Sequence, residues 1–112
     1  MKYALLIYTQ PGSFDSLSED DQRSVSAEYF AVAEQPGVLG GEQLQPIETA
    51  TTVRVNGGET LTTDGPFADT KEIFAGFYLL ETDDIDKAIE TAARIPAARL
   101  GGSVEVRPIV ER

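Results

Sequence analysis

KYALLIY, residues 2–8, is apolar on both of the faces that a β-strand would present. Alternate side chains of a strand point to opposite sides of the sheet, and both sets are apolar here: Tyr3, Leu5 and Ile7 on one side, Ala4, Leu6 and Tyr8 on the other. IFAGFYLLE, residues 73–81, shows the same two-sided pattern. Such strands lie in the centre of a sheet that is covered on both faces. The two stretches therefore predict two central strands.

Two further segments have the spacing of amphipathic helices. Ser18 stands three residues before Asp21 and predicts the N-terminal cap of the first helix, which Pro36 ends. Asp83 or Asp84 predicts the cap of the second helix, which Pro96 ends. We expect the buried sides to comprise Val25, Tyr29, Val32 and Ala33 in the first helix and Ile85, Ala88, Ile89, Ala92 and Ala93 in the second.

The remaining strands are shorter. VLGGEQLQP, residues 38–46, predicts a strand with a bulge at its two glycines. SVEVRPIV, residues 103–110, predicts a last strand with Val104 and Val106 inward and Glu105 and Arg107 on the opposite face.

Residues 51–63, TTVRVNGGETLTT, predict a β-hairpin. We expect a three-residue loop over residues 56–58, because that register sets Val53 opposite Leu61.

The order β-α-β, hairpin, β-α-β predicts one α+β domain over residues 1–112. Its fold class is the ferredoxin-like split βαβ with an inserted β-hairpin, in which two helices cover one face of an antiparallel sheet. Two helices leave the other face uncovered, although the central strands are apolar there too. We therefore predict a homodimer that packs sheet against sheet as a dimeric α+β barrel.

Composition narrows the functional classes. Hydrophobic residues make up 41% and charged residues 25% of the chain, as in a folded soluble protein. The net charge of −10 repels phosphate backbones, so we expect no nucleic-acid partner. The longest apolar run is too short to span a bilayer, and we expect a cytoplasmic protein with no membrane partner. No glycine pair forms a phosphate-binding loop, and without cysteine or histidine we expect neither cofactor nor metal.

Several segments, in order, resemble the YCII-related family, and in particular its branch named for an Asp-Gly-Pro-Phe motif. They are MKYALLIY, GVLGGEQLQP, ATTVRV, TDGPFADTKE, FAGFYLLE, AARIPAA and GSVEVRPI. The resemblance implies a dimeric ferredoxin-like α+β barrel with a pocket near the dimer interface. It also implies a regulatory or stress context, since some members are encoded beside extracytoplasmic-function sigma factors. The His–Asp pair proposed for the type member has no counterpart in this histidine-free chain.

The motif itself predicts a corner. Asp64, Gly65 and Pro66 form a strong turn signal, and Phe67 is expected to pack into the core. We therefore assign a structural role to Gly65, Pro66 and Phe67.

Charged side chains in and just after this motif, within residues 62–72, are the candidate acid–base groups. If the corner folds back, Asp64 and Glu72 approach each other, and two close carboxylates raise the pKa of one of them. Lys71 would then bind an anionic substrate or neutralise the pair. The alternative is a set of surface salt bridges.

Four more residues are candidate ligand-binding groups: Tyr8, Glu42, Tyr78 and Arg107. The tyrosines would donate phenolic hydrogen bonds or, alternatively, pack at the dimer seam. Arg107 would bind a carboxylate in bidentate fashion or pair with a neighbour in the sheet.

Two hypotheses remain from the sequence. The first is a dimer that binds a small molecule or a protein partner in a regulatory or stress role. The second is a cofactor-free enzyme of the isomerase or lyase type. It would act on a small carboxylated substrate, with Asp64 or Glu72 as acid or base and Arg107 or Lys71 as anchor.

Overall fold

The structure, a computed structural model, describes residues 1–65 and 71–112. Its helices and strands follow one another in this order: β1 (Lys2–Thr9), α1 (Glu19–Ala33), β2 (Val38–Gln43), β3 (Thr51–Asn56), β4 (Glu59–Asp64), β5 (Ile73–Glu81), α2 (Ile85–Ala93) and β6 (Ser103–Pro108). Short 3-10 turns lie at Ile47–Thr49 and Pro96–Ala98. Four strands form an antiparallel sheet in the order β2-β5-β1-β6, and β3 pairs only with β4 among the described strands. The predicted ferredoxin-like α+β class with an inserted hairpin is confirmed.

The core lies between the sheet and the two helices. On the helix-covered face, Tyr3, Leu5 and Ile7 of β1 are buried beside Leu80 of β5. The helices and the turn after α2 add the rest of the cluster: Val32, Ala88, Ala92, Ile95 and Ala97. Val104 and Val106 pack against this cluster, as the alternation in β6 predicts.

Both helices begin at the predicted caps. The main-chain N–H of Asp21 donates to Ser18 Oγ over 3.1 Å, and that of Asp86 donates to Asp84 Oδ1 over 2.9 Å. Each cap satisfies a donor that the first helical turn leaves unpaired.

The buried stripes are narrower than the sequence predicted. Ala33 and Ala93 are exposed, and Ile85 and Ile89 are 50% and 52% exposed. Ala88, which is fully buried, marks the centre of the contact with the sheet. Ile85 and Ile89 are turned roughly 60° and 100° around the helix from it, so they lie at the flank of the contact.

The predicted hairpin loop is wrong by one residue. Asn56 pairs with Glu59, so the loop is the two-residue turn Gly57-Gly58. The φ angles of these glycines are 60° and 84°, and a turn with two positive φ angles matches the twist of the flanking strands. Val53 consequently lies opposite Thr62, and Leu61 lies opposite Arg54. Two consecutive glycines at the centre of the turn outweigh the apolar pairing that favoured the longer loop.

β2 has a bulge, but it lies one residue before the predicted step between the two glycines, with Leu39 as the extra residue. Val38 pairs with Leu80, whereas Gly40 already pairs with Leu79. Next to the bulge, a Cβ placed on Gly41 would lie 2.3 Å from the carbonyl oxygen of Phe77. Glycine there permits the strands to approach closely.

The face of the four-stranded sheet opposite the helices, called the open face below, has an apolar centre and polar edges. Phe77 of β5 pairs with Leu6 of β1, Leu6 pairs with Glu105 of β6, and Phe77 pairs with Glu42 of β2. Paired residues of antiparallel strands point to the same face. This row therefore runs from one carboxylate, across two apolar side chains, to another carboxylate.

Candidate functional site

A cleft of about 290 Å3 lies where β1 ends and β6 begins. Its lining supplies a phenol, a hydroxyl and two carboxylates and consists of Tyr8, Glu72, Ser103, Val104 and Glu105. The pairing of Tyr8 with Ser103 in the β1–β6 ladder sets these two residues side by side on the same face of the sheet. Glu72 reaches the same place because β5 begins one residue later, with Ile73 beside Thr9.

Glu72 and Ser103 are joined across the cleft. Ser103 Oγ donates a hydrogen bond of 3.0 Å to Glu72 Oε2. A hydroxyl that donates to a carboxylate is oriented by it, so its lone pairs face away and remain available as acceptors. The pair links β6 to the residue that precedes β5.

Gly102 makes this arrangement possible. A Cβ at this position would lie 2.1 Å from the carbonyl oxygen of Tyr8 and 3.1 Å from that of Ala97. No side chain fits there, so glycine is required for β6 to start beside the end of β1.

An aromatic pair lies at the edge of the cleft: Tyr8 lines it, and Phe74 contacts Tyr8. The ring centroids of Tyr8 and Phe74 are 5.6 Å apart with an interplanar angle of 51°. This is the tilted geometry that aromatic pairs favour. Phe74 is 39% exposed, so one copy of the chain leaves this ring open to a ligand or a partner.

Arg107 is engaged by its neighbour in β6. Its Nη2 donates to Glu105 Oε2 over 2.6 Å. The hydrogen bond and the charge of Glu105 raise the pKa of the Arg107 guanidinium above its usual value. The sequence left two roles open for Arg107, and in a single chain the residue pairs with a neighbour in the sheet. A ligand carboxylate would have to compete with Glu105 for this cation.

Tyr78 lies on the other side of the sheet from Tyr8. Its hydroxyl donates a 2.8 Å hydrogen bond to the main-chain carbonyl oxygen of Tyr29 in α1. Burial, with a smaller effect of Tyr29, raises the pKa of the Tyr78 phenol. The structure thus brings Tyr8 and not Tyr78 to the cleft.

The other predicted residues are spread over the molecule. Glu42 is exposed at the β2 edge, three strands from Glu105, which corresponds to about 14 Å. Asp64 ends β4, and Lys71 is exposed beside Glu72. The role predicted for Asp64 stays a prediction.

Only part of the predicted corner can be described. Gly65 has a φ of +99°, which favours glycine. Its N–H donates to Ala50 O over 2.6 Å, and its carbonyl oxygen accepts from Thr52 Oγ1 over 2.8 Å. Pro66 and Phe67 lie outside the described residues.

Sequence reasoning did not single out Ser103 or Glu105 as site residues. The antiparallel pairing of the first and last strands could have identified them, because it places Ser103 opposite Tyr8 and Glu105 opposite Leu6. Within residues 1–65 and 71–112, no group of three or more acidic side chains is placed to hold a metal ion. Neither helix of these ranges combines the length and hydropathy needed to cross a bilayer.

Three comparisons bear on the identity of the chain. The YCII-related domain family matches residues 1–112. An uncharacterised protein of Rhizobium meliloti (strain 1021) is 37% identical over 114 residues, which cover 97% of this chain and 92% of that protein. The solved structure of 5-chloro-2-hydroxyhydroquinone dehydrochlorinase from Burkholderia phenoliruptrix AC1100, in complex with 2,5-dihydroxybenzoquinone, is similar with a TM-score of 0.58. That match covers 100% of this chain and 96% of the other at 15% identity, and it shows a shared fold. By its sequence over the whole length and by its α+β architecture, the chain belongs to the YCII-related family.

Proposed function

We propose that this protein is a homodimer that binds a small organic molecule in the cleft at the Tyr8–Ser103 end of the open face. The observation that carries the proposal is the cleft itself. It gathers two hydroxyl groups and two carboxylates beside an exposed aromatic ring. Ligand sites typically combine an apolar wall with a few convergent polar groups in this way.

The exposed surface area of one copy supports the proposed dimer. The single chain of 12.1 kDa exposes 7919 Å2, whereas a folded monomer of this mass exposes about 6,000 Å2. The excess exceeds the roughly 800 Å2 that each partner buries in a standard protein–protein interface, so one copy has enough spare surface to form one. The open face contributes to it through Phe74 and the apolar centre around Leu6 and Phe77.

The chemistry of the cleft favours a ligand that presents hydrogen-bond donors and an apolar ring. Glu72 and Glu105 are acceptors when ionised, and the Ser103 hydroxyl already donates to Glu72. The phenol of Tyr8 adds a group that can donate or accept. Hydroxylated aromatic molecules meet these requirements, and binding them would suit the regulatory or stress role that the family resemblance implies.

A cofactor-free enzyme is the second candidate, and the hydrogen bond between Ser103 and Glu72 favours it. Glu72 is a carboxylate held by a neighbouring hydroxyl inside a cleft that also contains a phenol. A positioned carboxylate can take a proton from a bound molecule, and a phenol can return one. The reaction would be an isomerisation or elimination on a small substrate, with Glu72 as the base.

Thermal-shift measurements test the binding proposal. The panel contains catechol, hydroquinone, 2,5-dihydroxybenzoquinone, benzoate and malonate, each with wild type, Tyr8→Phe and Ser103→Ala. We expect at least one hydroxylated aromatic probe to raise the Tm of the wild type, with smaller shifts for both variants, because a ligand stabilises only the form it binds. The control is Tyr78→Phe, whose hydroxyl lies on the other face. Equal shifts in wild type, Tyr8→Phe and Ser103→Ala would place binding elsewhere.

A test for conversion of the bound probe distinguishes the binding protein from the enzyme. A probe that stabilises the wild type is incubated with the protein and followed by proton NMR. Conversion by the wild type that is lost in Glu72→Gln, while the thermal shift remains, would establish the enzyme. A persistent thermal shift with unchanged probe supports the binding protein.

A further inference from the structure

The tip of the hairpin of β3 and β4 has a composition with a chemical consequence. Asn56 is the only asparagine among the 112 residues, and Gly57 and Gly58 follow it. Asn56 ends β3, the two glycines form the turn, and all three residues are exposed. An asparagine before glycine loses its side-chain amide readily without an enzyme, because glycine has no Cβ to hinder attack by its own main-chain nitrogen. The tip is therefore a candidate for spontaneous modification.

The main-chain nitrogen of Gly57 is free to react. The hydrogen bonds formed by the turns and loops of residues 1–65 and 71–112 include none from the N–H of Gly57. A Cβ placed on Gly57 would have no atom within 4 Å apart from its chain neighbours, so water has access to the peptide. An isolated two-stranded hairpin is marginally stable, and its tip opens readily. Opening lets Asn56 leave the extended conformation and bring its carboxamide carbon to this nitrogen.

The other end of the same hairpin offers a contrast. Asp64 is also followed by a glycine and can form the same cyclic imide by loss of water. The N–H of Gly65, however, donates to Ala50 O over 2.6 Å, and its carbonyl oxygen accepts from Thr52 Oγ1 over 2.8 Å. Attack by this nitrogen would first break its hydrogen bond, which costs free energy. The structure therefore protects the nitrogen of Gly65 and leaves that of Gly57 exposed.

We propose that Asn56 is a site of spontaneous deamidation and that the corner at Asp64 is protected from the equivalent reaction. The main-chain nitrogen of Gly57 loses its proton and attacks Cγ of Asn56. The new bond from nitrogen to Cγ closes a cyclic imide, and the bond from Cγ to the side-chain nitrogen breaks, which releases ammonia. Water then opens the ring at either carbonyl and gives aspartate or isoaspartate. In sum, an amide and water become a carboxylic acid and ammonia, so neither an oxidant nor a cofactor is consumed.

Both products loosen the hairpin. Asn56 and Glu59 are cross-strand partners, so the new carboxylate lies directly opposite an existing one. Like charges in opposite positions destabilise a pair of strands. Isoaspartate also adds one carbon atom to the main chain, which disturbs the two-residue turn that sets the register. The hairpin of an ageing chain therefore opens more often, and this holds whether or not the chain dimerises or binds a ligand.

The test uses Asp64→Asn, which places the same Asn-Gly dipeptide at both ends of the hairpin. Wild type and variant are incubated at mildly alkaline pH, digested with trypsin and analysed by mass spectrometry. Cleavage after Arg54 and Lys71 puts both positions in one peptide, residues 55–71, and fragment ions distinguish them. In the folded variant, position 56 should deamidate several-fold faster than position 64. In guanidinium chloride, where the structure is lost, the two rates should be similar.

Two results would overturn the proposal. Similar rates at both positions of the folded variant would show that the exposed nitrogen of Gly57 does not decide the reaction. No mass gain at Asn56 in aged wild type would show that the site does not react. Circular dichroism checks that Asp64→Asn is folded. Wild type gives an independent reading, since isoaspartate should accumulate at position 56 and not at position 64.

Amide hydrogen exchange measures the loosening of the hairpin. Asn56→Asp reproduces one product of the reaction, and Asn56→Gln is the control that keeps a neutral amide. Peptides from the hairpin should exchange several-fold faster in Asn56→Asp than in wild type, whereas Asn56→Gln should stay close to wild type. Equal exchange in all three proteins would overturn the effect of the added charge on the hairpin.

Discussion

The hydroxyl of Tyr78 in β5 donates a 2.8 Å hydrogen bond to the main-chain carbonyl oxygen of Tyr29 in α1. The bond ties a central strand to the longer helix. Strand register places Tyr78 on the helix-covered face and Tyr8 on the open face, so the two central tyrosines have different roles. Tyr78 holds the helix layer, and Tyr8 lines the cleft.

Tyr78→Phe should lower the free energy of unfolding by about 1 kcal/mol, the net value of an ordinary hydrogen bond. Urea unfolding followed by circular dichroism measures it. Tyr8→Phe is the matched control, because that hydroxyl lies at an open cleft, and we expect a smaller loss there. A larger loss for Tyr8→Phe would show that our division of roles is reversed.

Stability should also fall at alkaline pH. Burial raises the pKa of Tyr29 and Tyr78 above the ordinary value of 10.0. Between that value and the folded-state pKa, the unfolded chain has lost the phenolic proton that the folded chain keeps. The stabilisation is thus complete below pH 10 and disappears as the pH rises through the folded-state pKa.

The measurement is a series of urea unfolding curves from pH 8 to pH 12. Tyr78→Phe removes one of the two phenols, so its stability should decline less steeply with pH than that of the wild type. Parallel curves for both proteins would contradict the contribution of Tyr78.

Glu105→Gln should strengthen binding of carboxylated probes such as benzoate or malonate. The substitution replaces the carboxylate that holds Arg107 at 2.6 Å with a neutral amide, which weakens that contact and takes one negative charge from the cleft. The freed guanidinium can then bind a carboxylate in bidentate fashion. Isothermal titration calorimetry measures the affinity, and the double variant Glu105→Gln/Arg107→Gln is the control. A gain that persists in the double variant would show that Arg107 is not the binding group.

Gly102→Ala should be strongly destabilising, by about 3 kcal/mol or more, because its Cβ would meet main-chain oxygen atoms at 2.1 and 3.1 Å. Main-chain atoms cannot rotate away as a flexible side chain would. Thermal unfolding measures the loss, and Ser103→Ala at the next position is the control for removing a side chain from the cleft. A Tm within a few degrees of the wild type would mean that β6 can shift without cost.

Much of the fold could be predicted from local patterns. The apolar pattern of residues 2–8 and 73–81 predicted the central strands. Ser18 predicted the start of the first helix, and Asp83 or Asp84 that of the second, where the structure has Asp84 as the cap. These signals depend on neighbours within a few positions. The hairpin loop was mispredicted because two local preferences competed, and the positive φ angles available to Gly57 and Gly58 won.

The candidate site was less predictable, because it joins residues far apart in the chain. Glu72 and Ser103 are 31 positions apart and meet through the order of the strands. Tyr8 and Tyr78 look equivalent in sequence, since each lies in a central strand. Strand register alone places one on the open face and the other against α1.

By itself, the sequence determined the class of fold, the two central strands, the helix caps and the absence of cysteine and histidine chemistry, because these depend on residue type and short-range periodicity. Tertiary structure decided which polar groups share the cleft, that Arg107 is engaged by Glu105, and that the hairpin of β3 and β4 leaves Val53 and Val55 exposed. The physical reason is that a one-residue change of register moves a side chain to the other face of a sheet. Register was fixed by packing across the whole domain.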